Sequence, residues 1–534
     1  QALNLLQERY KNKIDTIYID PPYNAKSSEI MYKNNYKHSS WISLIHDRVK
    51  SAYNLCKESS FLNFAIDDYE LKNSLLLLEQ IYGEDNFISN ICVMHNPRGR
   101  NDDKFFGTSH EYMSVFAKNK EKANLGQFEL NDDDIAIFNK EDKISKYSLV
   151  SYIRSGNNSR RHERPNLYYP IYLNKLDLSL HLDPFRGAVK LLPINASGEE
   201  RTWRWGKETF LKKKDTELEA NFDGIQYKIY KKRRLKGARK KPKTVWHDSK
   251  YDASSHGIML LRRLFGVGSL FSYPKSIHLV TDALSLTTTQ ESIILDFFAG
   301  SGTSAHAVIN LNREDEDEGN RKYILVEMGE YFDTVLKPRI QKVIYSKEWK
   351  NGKPVDREGS SHIFKYIKLE SYDDTLNNLT MKIDSHGQKV IEQYAHIREQ
   401  YMLSYILDKE TEGSMSLLNI DSFKNPFDYK LNIANGLETK ETVVDLVETF
   451  NYLIGLTVHS IGAKEYFDVE PVHDENMPGK VKLNFAKYGE GEYVFKEVEG
   501  ILRTGEKALI IWRNMTDDIA KDNAALDAYF EKKR

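Results

Sequence analysis

Asp20-Pro21-Pro22-Tyr23 puts a carboxylate, two ring-stiffened peptide units and an aromatic face within four residues. The Asp20 carboxylate and the Pro21 carbonyl offer two hydrogen-bond acceptors, and the prolines stiffen the turn that aims them. Two aimed acceptors suit a direct displacement by a weakly basic exocyclic amine, such as N6 of adenine. Both amino hydrogens must be held so that lone-pair density gathers on the attacking nitrogen. Tyr23 adds a flat face on which the base can stack. By itself the tetrapeptide reads equally well as a rigid Pro-Pro turn with an incidental acid.

A second motif runs Asp296-Phe-Phe-Ala-Gly-Ser-Gly-Thr303. Gly300 and Gly302 allow a tight turn beneath a nucleotide, and Ser301 and Thr303 lead into a helix whose first amides can face it. Glu327, at the end of the next strand, can take both hydroxyls of a ribose. Phe298 either lines a bound adenine or packs in the core. Gly300 to Ala305 also satisfies the dinucleotide pattern G-x-G-x-x-A, so a nicotinamide dehydrogenase competes on this motif alone. A P-loop does not, because no Lys-Ser or Lys-Thr pair follows the glycines. A dehydrogenase gives no reason for Asp-Pro-Pro-Tyr at a strand end, whereas an amine methyltransferase requires something of that kind.

Periodicity supplies the elements that hold these motifs. Ala2 to Tyr10 reads as a helix, and Ile14 to Ile19 as a buried strand cut off by the prolines. Trp41, Leu44, Ile45, Val49, Ala52 and Leu55 recur at helical spacing, and Phe61 to Ile66 reads as a strand ending at Asp67-Asp68, which either help shape the pocket or, as acids at a strand end more often do, serve as solvated turn residues. Leu71 to Tyr82 and Tyr112 to Ala117 add a helix and a strand. The pattern resumes with a strand Ser292 to Leu295, a helix to about Asn310 and a strand Tyr323 to Val326. Such alternation predicts a parallel α/β sheet. In a doubly wound sheet, strand-end turns far apart in sequence meet in one crevice, so Asp20 and Gly300 are expected to share a pocket.

Between the two halves the periodicity weakens, which predicts an inserted domain. The expected division is 1–120 for the catalytic half, 121–270 for the insertion, 271–360 for the cofactor half and 361–534 for a C-terminal α+β domain. That last region carries an amphipathic helix with Val443, Leu446, Val447, Phe450, Leu453 and Ile454, alternation at Val481, Leu483 and Phe485, and a strand Ala508 to Trp512.

The formal charge of -1 hides an uneven distribution. Basic residues crowd Arg201 to Lys243, among them Arg201, Arg204, Lys231, Lys232, Arg233 and Arg234. With Trp203, Trp205 and Trp246 they read as a DNA-contacting surface or a solvated charged loop. The acidic run Glu314 to Glu318 offsets them in the sum. No stretch is apolar enough to span a bilayer, which excludes a membrane protein. Two cysteines, Cys56 and Cys92, suit a reducing cytoplasm and argue against disulfides and multi-cysteine metal sites. His95 and His110 lack companions at metal spacing, so no metal is expected. A chain that opens on Gln1 is expected to lack its natural start.

Ile19-Asp-Pro-Pro-Tyr-Asn24, Asn63-Phe-Ala-Ile-Asp-Asp68, Asn96-Pro-Arg-Gly-Arg-Asn101 with Ser109-His-Glu-Tyr112, Trp203-Arg-Trp205, Tyr273-Pro-Lys275 and Asp296 to Thr303 carry a family resemblance. Together they resemble the modification subunit of Type III restriction-modification systems, within the β group of amino methyltransferases. The resemblance implies a Rossmann-like sheet with a circularly permuted motif order: catalytic, target recognition, cofactor. It implies S-adenosylmethionine as cofactor, double-stranded DNA as substrate, a homodimer, and an ATP-dependent restriction and translocation subunit as partner. By the same resemblance Lys275, with Ser276, lies against the methionine end of the cofactor, and Arg98 and Arg100 touch DNA backbone near a flipped base. Such subunits usually begin with a further N-terminal segment, and carry threonine where Ala25 stands.

Two other functions use the same residues. One is the same displacement on cytosine N4 or in RNA; the other is a catalytically silent DNA-recognition subunit. Asp20 favours adenine, because similar cytosine N4 enzymes commonly carry Ser there. Intact Asp20, Tyr23, Gly300 and Gly302 argue against a silent subunit.

Overall fold

The computed structural model describes residues 1–24, 37–99, 103–268, 270–378, 424–435, 438–473 and 479–533. Arg100 and Ala25 lie outside them.

The first strand, β1 (Ile14–Ile19), is buried and central. It is followed by α1 (Lys37–Tyr53), β2 (Cys56–Ile66), α2 (Leu71–Tyr82), β3 (Phe87–Val93) and β4 (Glu111–Ala117). Ile17, Ile19, Leu62, Phe64 and Ile66 pack with Trp41, Ile45, Val49, Leu77 and Leu78 in one core. Strand alternation sends Thr16, Tyr18 and Asn63 to the opposite face. The expected helix Ala2 to Tyr10 is two short ones, Ala2–Leu5 and Gln7–Tyr10.

An inserted unit then runs Gly126–Lys243, narrower than the expected 121–270. Its main sheet combines β5 (Lys146–Ser151), β6 (Leu218–Phe222), β7 (Tyr227–Arg234) and a short strand Lys140–Glu141, with α3 (Lys207–Glu217) leading into β6. Trp203 stacks on Tyr152 with ring centroids 5.2 Å apart, and its indole N–H donates to the Tyr169 carbonyl at 2.8 Å. Trp203 is therefore core, not the DNA-facing aromatic expected from its basic neighbours.

At Thr244 the chain rejoins the larger unit. There β8 (Val245–Trp246) pairs in parallel with β3, which buries Trp246 in the edge of the main sheet and removes it too from the expected aromatic surface. Next come α4 (Ile277–Thr287), β9 (Ile293–Asp296), α5 (Thr303–Glu314), β10 (Lys322–Leu325) and α6 (Lys337–Tyr345). Helix α4 covers the second face of β1, where the Thr16 hydroxyl donates to the Thr287 carbonyl at 2.6 Å.

The sheet order is β8-β3-β4-β2-β1-β9-β10. It is mixed rather than wholly parallel, because β4 runs antiparallel to both β2 and β3. The reason is local. Strand β3, mostly half-buried and without clean alternation, is illegible in the sequence, and no helix stands among the described residues between it and β4.

Residues beyond 361 were expected as a separate domain, yet those described group with the larger unit. They include a five-stranded antiparallel sheet over Thr457–Arg513, backed by a helix Ile519–Lys533. Tyr452, from the helix Leu446–Leu453, enters the same core as Leu3 and Leu6, and the Arg9 guanidinium lies 4.6 Å from its ring centroid. Among the described residues no helix is long and apolar enough to cross a membrane.

Trp203→Ala should cost the inserted unit about 3 to 5 kcal/mol, the range for emptying a buried aromatic site. Denaturant unfolding followed within that unit checks this, and a change below 1 kcal/mol would return Trp203 to the surface.

Candidate active site

Asp20 follows the end of β1, Asp296 ends β9 and Glu327 lies just past β10, all at the carboxyl edge of parallel strands. Because β4 is antiparallel, its first residue, Glu111, rises at that same edge: Tyr112 pairs with Ile66 at the end of β2. The sheet thus brings both motifs to one edge, as their strand-end positions imply, and adds a carboxylate that sequence reasoning gave no role.

Lys275, just before α4, ties these groups together. Its Nζ is 3.1 Å from Asp20 Oδ1 and 2.7 Å from Glu111 Oε2, and it also contacts the Tyr23 hydroxyl. Tyr23 donates to Glu111 Oε2 at 2.9 Å, and the ammonium lies 4.6 Å from the Tyr23 ring centroid. Burial pushes the Lys275 ammonium down, but Asp20 and Glu111 outweigh it and hold its pKa at about 12. Burial raises the Asp20 carboxyl despite Lys275, whereas Lys275 overcomes burial at Glu111 and keeps that carboxyl below its usual range. One ammonium thus acts unequally on the two acids, with Asp20 raised and Glu111 lowered.

The Pro-Pro turn is held from the other side. Fully buried Trp41 donates its indole N–H to the Pro22 carbonyl at 2.8 Å. Asn24, at φ 59°, donates to Glu70, which also binds His38 and Asn73. Trp41 and Glu70 carried no functional signal in the sequence, since an aromatic on an apolar helix face and an acid before a helix look structural.

At the glycine loop, Gly300 and Gly302 have φ +52° and +81°. A Cβ on Gly302 would meet Leu336 Cγ at 3.2 Å, so this glycine is required by the packing beneath the loop as well as by any ligand above it. Fully buried Arg339 pins the loop from below, donating to Ser301 Oγ and Thr303 Oγ1 at 2.9 Å. Glu327 accepts from the amides of Gly300, Met328 and Gly329, each at 2.8 Å, so part of its capacity is already spent on the backbone rather than open to a ribose. Phe298 is half-buried against the core. Asp296 accepts from Ser304 Oγ at 2.5 Å and Phe298 N at 3.1 Å, yet burial pushes its carboxyl up to about 7.

The expected phosphate-binding residues divide. Arg98 and Arg204 are exposed. Alternation along β7 sends Lys232 and Arg234 to one face, where both bind Asp142, at 2.7 and 2.8 Å, and Arg234 also binds Glu217. Lys231 and Arg233 take the other face, with Lys231 Nζ 5.3 Å from the Trp205 ring. Arg201 pairs with Glu199. Asp67 accepts from Tyr69 N, the turn role its position suggested. His110 binds the Tyr112 hydroxyl at 2.9 Å, and among the described residues no three His, Cys, Asp or Glu side chains could hold a metal.

A family profile described as DNA methylase, covering N6 and N4 enzymes, matches residues 14–337, from the first residue of β1 to the first of α6. The chain belongs to the DNA methylase family. Type II methyltransferase M.KpnI of Klebsiella pneumoniae is 34% identical over 324 residues, covering 59% of this chain and 75% of that protein. The Type III restriction-modification enzyme EcoPI Mod subunit of Escherichia phage P1 is 31% identical over 372 residues, covering 62% of this chain and 56% of that subunit. This methylase therefore spans three quarters of the first relative and little over half of the second. Among solved structures, PvuII DNA methyltransferase (cytosine-N4-specific) aligns with 64% of this chain and 83% of its own, at 11% identity and a TM-score of 0.33.

The cofactor of this DNA methylase is S-adenosylmethionine. The buried edge fits it. Asp20 and Glu111 share one ammonium, and Glu111 Oε1 and the Tyr18 hydroxyl have no hydrogen-bond partner among the described residues. A ligand bringing positive charge and N–H donors suits such a surface.

Asp296 gives the methylase a testable pH signature. A carboxyl raised in the folded state contributes stability that is whole below its unfolded pKa and is lost as pH rises through about 7. Cofactor-free protein should weaken across that interval by up to about 4 kcal/mol, and Asp296→Asn should flatten the slope. Denaturant midpoints measured from pH 4 to 8 decide, and equal slopes in both proteins would mean that Asp296 is ionised throughout.

Proposed function

We propose that this chain methylates N6 of an adenine swung out of double-stranded DNA, as the modification subunit of a restriction-modification system. One observation carries the reading: Asp20 stands at the sheet edge that bears the glycine loop, clamped by Lys275 beside Tyr23 and Glu111. A base inside the stack cannot present its amine in line, so it must be extruded and held.

When bound, S-adenosylmethionine supplies a methyl group made electrophilic by the sulfonium. Asp296, Phe298, Gly300 to Thr303 and Glu327 are the residues that would hold it. Asp20 and the Pro21 carbonyl accept the amino hydrogens and turn the nitrogen lone pair toward that methyl. With it bound, the chain's own part would be to hold the amine in line with that methyl and, through Asp20, to take up the surplus proton left on nitrogen. Lys275 fixes the rotation of the Asp20 carboxylate, and Glu111 keeps Lys275 and Tyr23 in place.

Residues 126–243 serve target recognition in this reading, which their basic and aromatic content supports. The likeness to the EcoPI Mod subunit supports a restriction subunit as partner; the homodimer, the cytoplasmic location and the partner's ATP dependence are part of the same proposal and rest on the motif resemblance.

Tritium transfer from labelled S-adenosylmethionine to unmethylated DNA, followed by nucleoside analysis, should yield N6-methyladenine. Label in N4-methylcytosine would assign the other amine. Asp20→Ala should lower single-turnover transfer by about a hundredfold or more with cofactor affinity kept, while Tyr23→Ala should lose about 1 to 3 kcal/mol of base stacking.

Only unpaired cations are available to phosphates. Replacing Lys231 and Arg233 by Gln should reduce the slope of log affinity against log salt by about 1 to 2, and the same change at Lys232 and Arg234 should leave it unaltered. An unaltered slope for the Lys231 and Arg233 variant would remove β7 from the DNA face.

A further inference from the structure

The loop between β3 and β4 starts and ends at the sheet edge that carries Asp20, since the end of β3 and the start of β4 pair there: Val93 is opposite Glu111. Its described residues, 94–99 and 103–110, are two arms of an arch tied to each other. Asn96 N donates to the Ser109 carbonyl at 3.1 Å, and Thr108 N to Asp103 Oδ2 at 2.7 Å. At Gly99, φ +71°, the arms approach so closely that a Cβ would stand 3.4 Å from the Gly107 carbonyl oxygen. At the tip the arch holds out Phe105 and Phe106, 84% and 92% exposed. Among the described residues no other two consecutive large apolar side chains are both so exposed. Neither ring serves the core, and an apolar pair held in water costs solubility unless something takes it up.

The flanking charges indicate what that is. Lys104 Nζ lies 5.3 Å from the Phe105 ring, and Arg98 is exposed on the same arch. Flat apolar rings bracketed by cations match a base stack bracketed by phosphates, and apolar wedges between base steps are a general device of proteins that deform duplexes. Extruding a base leaves a gap in the stack that an unaided duplex closes again.

We infer that Phe105 and Phe106 form a wedge that enters the duplex beside the target and fills the space left by the extruded base. This rests on the proposed extrusion of an adenine. The arch is rooted at Glu111, which holds Lys275 and Tyr23 beside Asp20, so the wedge and the anion that braces the acceptor are parts of one continuous segment, and a base displaced by the rings leaves the stack at the edge where Asp20 stands.

The recognised sequence is first read from the positions methylated in plasmid DNA by the wild-type chain. A duplex with 2-aminopurine at the target position then reports extrusion as a rise in fluorescence. Wild type should give the rise. Phe105→Ala/Phe106→Ala should lose most of it and methylate the adenine-containing duplex at least tenfold more slowly, with cofactor affinity within twofold, which also certifies the fold. Phe105→Leu/Phe106→Leu should retain most of both signals, and an abasic site opposite the target should restore the alanine variant. An unchanged rise and rate in the alanine variant, or a loss that the abasic site does not relieve, overturns the wedge. So does a change of oligomeric mass as the variant's sole effect, which would make the rings a protein contact. Methyl transfer by wild type without any fluorescence rise overturns base extrusion itself, and the wedge with it.

Discussion

Lys275 carries the charge that allows two carboxylates, buried Glu111 and half-buried Asp20, to sit together at one edge of a sheet. An unpaired carboxylate in such a place costs several kcal/mol and would take up a proton instead. With the ammonium 3.1 Å from Asp20 and 2.7 Å from Glu111, one cation compensates both anions unequally. The closer acid stays ionised and the farther is raised, so the same contact that makes the cluster stable also separates its two acids. Tyr23 hydrogen-bonds the anion that keeps Lys275 in place, which makes the tetrapeptide and the segment before α4 a single electrostatic unit despite their separation in the chain.

The glycine loop solves a different problem with similar means. Arg339 lies fully buried beneath it, and hydroxyls, a carbonyl and His306 take its described hydrogen bonds. Burial drives its pKa down to about 9. That is an expensive way to hold a turn, and its effect is to anchor Ser301 and Thr303 from below. Glu327 anchors the opposite flank through three backbone amides. The loop is built before any ligand arrives.

In the inserted unit, strand alternation decides which charges face solvent partners. Four consecutive cations in β7 look uniform as a string, but Asp142 neutralises every second one. Tryptophans flanking the run are likewise divided, Trp203 to the core and Trp205 beside two lysines.

The sequence alone determined the elements with strong periodicity and the motifs that end strands: β1 with Asp20, α2, and β9 with its glycine turn stand where pattern and turn chemistry put them, because these signals are local. Membership in a methyltransferase family was equally legible, since it rests on short contiguous motifs. Only the tertiary structure decided the antiparallel placement of β4, and with it the arrival of Glu111 beside Asp20. That outcome depends on a weakly patterned strand finding an edge between distant neighbours. It also decided that Lys275 pairs with Asp20 and Glu111, that Arg339 and Trp41 brace the two turns, and that half of a basic run is already paired. Each of these is a contact between residues far apart in the chain, and such contacts leave no period, cap or turn for a sequence to display.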